Sequence, residues 1–165
     1  MRLSEDLERV ALQERELTLP SFDEEVAWKL GSLLRTIAEE RNLPAVVDVR
    51  RFGQPLFYAA LDGTSPDNVE WVRRKSNCVA RFLRSSYATG LKLKLKNETL
   101  ESQHGQPMPD FAPHGGSFPL TVEGAGIVGS VTVSGLPQRA DHELAVEGLC
   151  ALLGRSYDDL KLAAE

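Results

Sequence analysis

The sequence predicts an α+β fold: one antiparallel sheet packed with helices and preceded by an amphipathic N-terminal helix. Three observations carry that prediction. Two pairs of short apolar runs, residues 45–50 with 56–61 and 118–122 with 126–135, are each joined by a glycine-containing turn and read as β-hairpins. Segments of helical period lie before, between and after these pairs. The chain's 165 residues, 42% hydrophobic and 26% charged, suit one compact domain with a single core.

Composition narrows the function classes. A net charge of −5 spread along the chain favours neither nucleic acid nor an anionic membrane as partner. No apolar run approaches the roughly 20 residues that span a bilayer, and the acidic N-terminus does not read as a signal peptide. A cytoplasmic protein is expected. Cys78 and Cys150 lie in helical segments and are expected to be buried, reduced thiols.

In chain order, Leu3, Leu7, Val10 and Leu17 recur at helical spacing, with Ser4 as a candidate cap. Residues 1–19 read as a helical extension that packs on the domain's rim or on a neighbouring subunit, and residues 20–165 as a single domain. Ser21 and Glu24 form a capping box for a helix whose apolar face is Val26, Leu30, Leu33, Leu34 and Ile37. The first hairpin follows, with Asp48 in an apolar strand, where a carboxylate needs a partner such as Arg50. Ser65 as cap, Pro66 at the first helical position and Asp67 at the positive helix end start a helix to about Leu83. One face of it carries Val69, Val72, Ser76, Val79, Ala80 and Leu83, and an adjacent stripe Trp71, Lys75, Cys78 and Phe82. Lys75 among apolar neighbours either extends its ammonium to water or points it into a pocket.

Leu91, Leu93 and Leu95 alternating with Lys92, Lys94 and Lys96 have the period of a strand, although both residue types are good helix formers. Residues 97–116 hold three prolines and two of the three histidines with little periodicity, as a binding loop does. The run 126–135 alternates as a core strand with one buried face. Asp141 is expected to cap a last helix with Leu144, Leu149, Leu152 and Leu153 inward and Gly154 at its end.

The candidate site gathers around His114-Gly115-Gly116-Ser117. Two glycines allow close approach to backbone amides, and His114 can act as acid, base or anion donor. His142, following Asp141 at a helix start, is expected to be neutral, and His104 to be solvated. The predicted ligand-binding set is Lys75, His114, Gly115, Gly116, Ser117, Asp141 and His142, receiving a small anionic ligand. The three histidines lack metal-site spacing, so no metal is assigned, and Ser117 lacks the setting of a nucleophile elbow. No catalytic residue is read.

Helix, helix, hairpin, helix, long connection, hairpin, helix is the order of a profilin-like or PAS-like layered fold. Several ordered motifs also look familiar: Asp48-Val49-Arg50-Arg51, Gly53-Gln54-Pro55-Leu56-Phe57, Gly63-Thr64-Ser65-Pro66-Asp67-Asn68, Arg74-Lys75, Ser85-Ser86-Tyr87, the glycine loop, Val133-Ser134-Gly135-Leu136-Pro137 and Asp141-His142. Over about residues 22–154 the chain resembles the haem-degrading-domain superfamily, in its cytosolic branch. The resemblance implies the profilin-like fold, a homo-oligomer, and a helix for residues 85–96 against the local period. Some extracellular members bind and break down haem, so it admits haem as cofactor and a haem-binding or haem-degrading enzyme as an alternative function. The chain has no Cys-x-x-Cys-His motif, and none of its residues is identified as an axial ligand. A third reading is an oligomeric scaffold that binds protein partners through its N-terminal helix.

Overall fold

The computed structural model describes residues 2–165. Its elements are α1 (Arg2–Glu16), β1 (Thr18–Leu19), α2 (Glu24–Glu40), β2 (Val46–Arg51), β3 (Gln54–Ala60), α3 (Asp67–Phe82), α4 (Ser86–Lys96), α5 (Leu100–His104), β4 (Ser117–Val122), β5 (Gly126–Ser134), α6 (Gln138–Leu153) and α7 (Tyr157–Leu160). The strands form one sheet in the order β1-β4-β5-β2-β3. Both predicted hairpins are present, and every pairing is antiparallel except β1 with β4. The α+β layered fold is the observed one.

Strand alternation gives the two sheet faces different work. Val47, Val49, Phe118, Leu120, Val131 and Val133 join Leu30 and Leu34 of α2 and Leu144 and Leu149 of α6 in the main core. Each such side chain contributes about 1.5–3 kcal/mol on burial. The other face carries Asp48, Ser117, Ser130, Thr132 and Ser134, all buried as well. Here the expectation of one buried face fails, because α3 packs over β4 and β5. The polar groups under it are paired: Thr132 Oγ1 donates to Ser117 Oγ at 2.9 Å, and Asn68 Nδ2 to Ser134 Oγ at 3.2 Å. Asp48 receives Arg50 Nε and Nη2 at 2.7 and 2.8 Å, as its neighbours in sequence suggested.

The N-terminal segment is built into the molecule. Val10, with Leu3 and Leu7 beside it, packs on Tyr87, Ala88 and Leu91 of α4 and on Leu162, so the stripe is covered by its own chain. β1 pairs in parallel with β4, Thr18 opposite Thr121, and delivers Leu17 and Leu19 to the main core.

Several local expectations are corrected. Ser4 lies inside α1 and is not its cap. Asp23, not Ser21, caps α2, accepting from Val26 N at 2.9 Å. At α3 the cap position belongs to Pro66 without a side-chain bond, and Asn68 Oδ1 reaches back to Ser65 N at 2.9 Å. The inward face of α3 is Val72, Lys75, Ser76, Cys78 and Val79, while Val69, Ala80 and Leu83 are exposed. Residues 86–96 are a helix capped by Ser85, whose Oγ accepts from Ala88 N at 3.1 Å. The long connection contains α5, which brings His104 against Phe82 at 5.9 Å between ring centroids rather than into solvent. Asp141 sits inside the first turn of α6 and does not cap it. Cys78 and Cys150 are free and buried, and burial pushes their thiols up to about 12 and about 11.

Candidate ligand-binding cleft

A cleft of about 340 Å³ opens where the N-terminal ends of α3 and α6 meet beyond the end of β5. From α3 come Asp67, Asn68, Trp71 and Lys75, from the end of β5 Ser134, from the β5–α6 turn Gly135 and Leu136, from α6 Gln138 and Asp141, and from the glycine loop His114. Asp67, Trp71 and Lys75 recur every four residues, so they stand in one row on the helix. Trp71 Nε1 donates to Asp67 Oδ2 at 3.1 Å, which fixes the indole.

Lys75 forms the floor. It is 3% exposed and does not reach bulk water. Its Nζ donates to Asp141 Oδ2 at 3.0 Å and to the Val133 carbonyl at 3.3 Å. Burial pulls the Lys75 ammonium below the usual lysine range and pushes the Asp141 carboxyl up, and their mutual attraction opposes both shifts. Asp141 Oδ1 also accepts from Leu136 N at 2.9 Å, so the carboxylate ties the turn to α6.

Gly116 makes room for that arrangement. Its φ is +143°, and a Cβ there would lie 2.3 Å from the Val133 carbonyl oxygen and 2.8 Å from Lys75 Nζ. The lysine can therefore lie under the loop only because this residue has no side chain. Gly115 N donates to Gln138 Oε1 at 2.9 Å, fastening the loop to α6. His114 stands at the exposed mouth, edge-on to Trp71 at 5.7 Å. Partial burial of its ring, then the Lys75, Arg74 and Lys94 cations, lowers its pKa and favours the neutral imidazole.

The predicted residues divide. Lys75, His114 and Asp141 line the cleft, and Gly115 and Gly116 hold its loop in place. Ser117 is fully buried on the sheet, where its Oγ accepts from Thr132 and its N donates to Ser86 Oγ at 3.0 Å. His142 is likewise fully buried, between Tyr87 and Phe118, with its Nε2 2.7 Å from Gln13 Oε1. Burial lowers it to about 3, so it is neutral and structural. Among the described residues no cluster of three metal-ligating side chains occurs.

Comparison with known proteins places this geometry. The family described as "Haem degrading protein HbpS-like" matches residues 22–150. The chain belongs to this HbpS-like family. A UPF0303 protein of Acidobacterium capsulatum is 61% identical over 162 residues, covering 98% of both chains. A UPF0303 protein of Paraburkholderia xenovorans is 57% identical over 163 residues, covering 99% of both. Among solved structures, the Ybr137w protein superposes with a TM-score of 0.83 at 27% identity, covering 93% of this chain and 95% of that one. HbpS gives 0.64 at 24% identity over 86% and 96%, and a PduOC:haem complex 0.68 at 14% over 79% and 94%. Those two likenesses concern the fold alone.

Within this HbpS-like chain, sequence reasoning left Asn68, Trp71, Ser134 and Gln138 outside the site. The row Asp67, Trp71, Lys75 was a usable signal, since the residues one turn before a pocket lysine share its face. Gln138 gave none, because its role depends on the Gly115 amide, 23 residues away in sequence.

Proposed function

We propose that the cleft binds a small carboxylate or comparable oxyanion, with Trp71 covering the ligand's apolar part. The observation that carries this reading is an imbalance of hydrogen-bonding groups. Most acceptors are engaged: Asp141 by Lys75 and Leu136 N, Asp67 Oδ2 by Trp71, Asn68 Oδ1 by Ser65 N, and Gln138 Oε1 by Gly115 N, which leaves Asp67 Oδ1 as the open carboxylate oxygen. The Gln138 amide NH₂, the His114 ring and the first amides of α6 remain as donors, at a helix end whose dipole favours negative charge. Lys75 is not a free cation, so the attraction comes from directed donors and helix ends rather than from net charge.

Haem fits this cleft poorly. The HbpS and PduOC:haem structures name haem-related proteins, but a porphyrin needs broad apolar faces and an axial ligand. Here the floor is an ion pair, and His114 is the one imidazole lining the cleft, since His142 is sealed in the core and His104 lies against Phe82. The residues of the cleft do not match the group, and the carboxylate reading is preferred.

The test uses the indole as reporter. In a Trp28→Phe background, benzoate is expected to change Trp71 fluorescence saturably, and benzyl alcohol to bind at least about tenfold more weakly, the lower end for a charge-assisted hydrogen bond. Equal binding of the two would remove the reading. We further propose a homo-oligomer in the cytoplasm; the buried free thiols accord with a reducing compartment.

A further inference from the structure

A second concavity, independent of the cleft, lies at the corner of α1, α3, α4 and α5 and has a volume of about 640 Å³. Its apolar surface comes from Leu7, Phe82, Leu93 and Leu95. Beside the neutral Thr89 and Gln103, its charged side chains are of one sign: Arg84, Lys92 and Lys96. Among the described residues none of these three forms a salt bridge. Glu14, the acid that Arg84 and Lys92 feel, accepts from Ser85 N at 2.8 Å and pairs directly with neither cation. Three cations without an ion-pair partner, with Glu14 as their nearby acid, stand out around one groove on a chain of net charge −5. They repel one another, and Lys92 is held below the usual lysine range by burial and by Arg84 and Lys96.

A further polar group lies beside the cations. His104 lines the same groove, and its Nε2 is buried without a hydrogen-bond partner. Buried polar atoms are seldom left so, and among the described residues the other such atom is His142 Nδ1 in the core. An apolar floor, a cationic rim and an unpaired imidazole nitrogen match an amphiphile with an anionic head and a short aliphatic tail, and the volume lies within the range of small-molecule sites. Leu95 keeps part of this apolar surface open to solvent.

We propose that this groove is a binding site for a free medium-chain fatty carboxylate, with its head among Arg84, Lys92, Lys96 and His104 and its tail along Leu7, Phe82 and Leu93. Nothing in it depends on the ligand of the cleft.

Decanoate, decyltrimethylammonium and decanol, each below its micellar concentration, are the probes, read on the full chain by calorimetry and by NMR of ¹⁵N-histidine. Decanoate is expected to bind saturably and to shift the His104 ring resonances while leaving those of His114 in place. The cationic and neutral amphiphiles are expected to bind at least about fivefold more weakly, and the Lys92→Glu/Lys96→Glu variant to lose decanoate by a similar factor, as two partly exposed charge contacts allow. Circular dichroism checks that this variant, altered only at exposed positions, is folded. Equal binding of the three probes, a response at His114 instead of His104, or an unchanged affinity in the charge-reversed variant would overturn the proposal. So would association with anionic vesicles in place of the free acid.

Discussion

At the scale of single residues, two buried groups are expected to control stability in opposite senses. Lys75 and Asp141 form a buried pair, and removing one partner leaves the other charge uncompensated at about 3–5 kcal/mol. Lys75→Met is therefore expected to lower the urea-unfolding free energy by about that much, and Lys75→Met/Asp141→Asn to recover a large part of it. A single variant as stable as wild type would show that the pair is not charged. The probe of the cleft is instead His114→Ala/Gln138→Ala, which removes two of the free donors and leaves the pair intact, and there carboxylate binding is expected to fall at least about tenfold. His142 acts through pH. Its pKa is lowered from 6.5 to about 3, so folding favours the neutral ring. Its contribution is complete above about pH 6.5 and is lost progressively as pH falls toward 3. Asp48, Asp141 and Glu143 have raised values and contribute with the opposite slope. The informative quantity is thus a difference: between pH 7 and pH 5, His142→Gln is expected to lose less stability than wild type in urea titrations. Equal losses would contradict the assignment.

At the scale of elements, the glycine loop and the α4 cap are the sensitive points. Gly116→Ala forces a Cβ against Val133 and Lys75 and is expected to destabilise by at least about 1–3 kcal/mol, the range for a strained backbone. Gly105→Ala, with nothing within 4 Å of the added carbon, serves as the control for positive φ alone. Ser85→Ala removes the α4 cap and is expected to cost about 1 kcal/mol, measured as a shift of the thermal midpoint. These elements also show what the sequence could reveal. Hairpins were legible because a two-residue period plus a turn is local. The α4 leucines misled because each meets a different environment: Leu91 packs on α1, Leu93 on Leu100 and Met108, and Leu95 is 46% exposed. An amphipathic helix with one apolar face would have given itself away. The site divided for a similar reason. Gly116 and Ser117 are neighbours as a loop becomes a strand, and Asp141 and His142 are neighbours on a helix, so within each pair one member serves the cleft and the other the interior.

At the scale of the whole molecule, the N-terminal stripe is satisfied internally, and exposed aromatic surface is found elsewhere. Trp28, Phe52 and Tyr58 are 63%, 47% and 42% exposed beside β3, an edge strand whose outer backbone groups lack a strand partner among the described residues. Such an edge is suited to a second copy across a twofold axis. Light scattering at micromolar concentration is expected to give more than the monomer mass, and Trp28→Glu/Tyr58→Lys to return it to the monomer. A monomeric wild-type protein would contradict this.

The parallel pairing of Thr18 with Thr121, together with the packing of Val10 against Leu162, also has a consequence for synthesis. On the ribosome the first helix emerges with its apolar side bare, and its receiving surfaces follow in two stages, α4 near mid-chain and then β4 and Leu162 toward the end. The start of the chain must wait for the finish. A ribosome stalled before residue 117 should therefore display an N-terminus open to protease that the released protein protects, and chaperones that shield nascent apolar segments have their longest opportunity there.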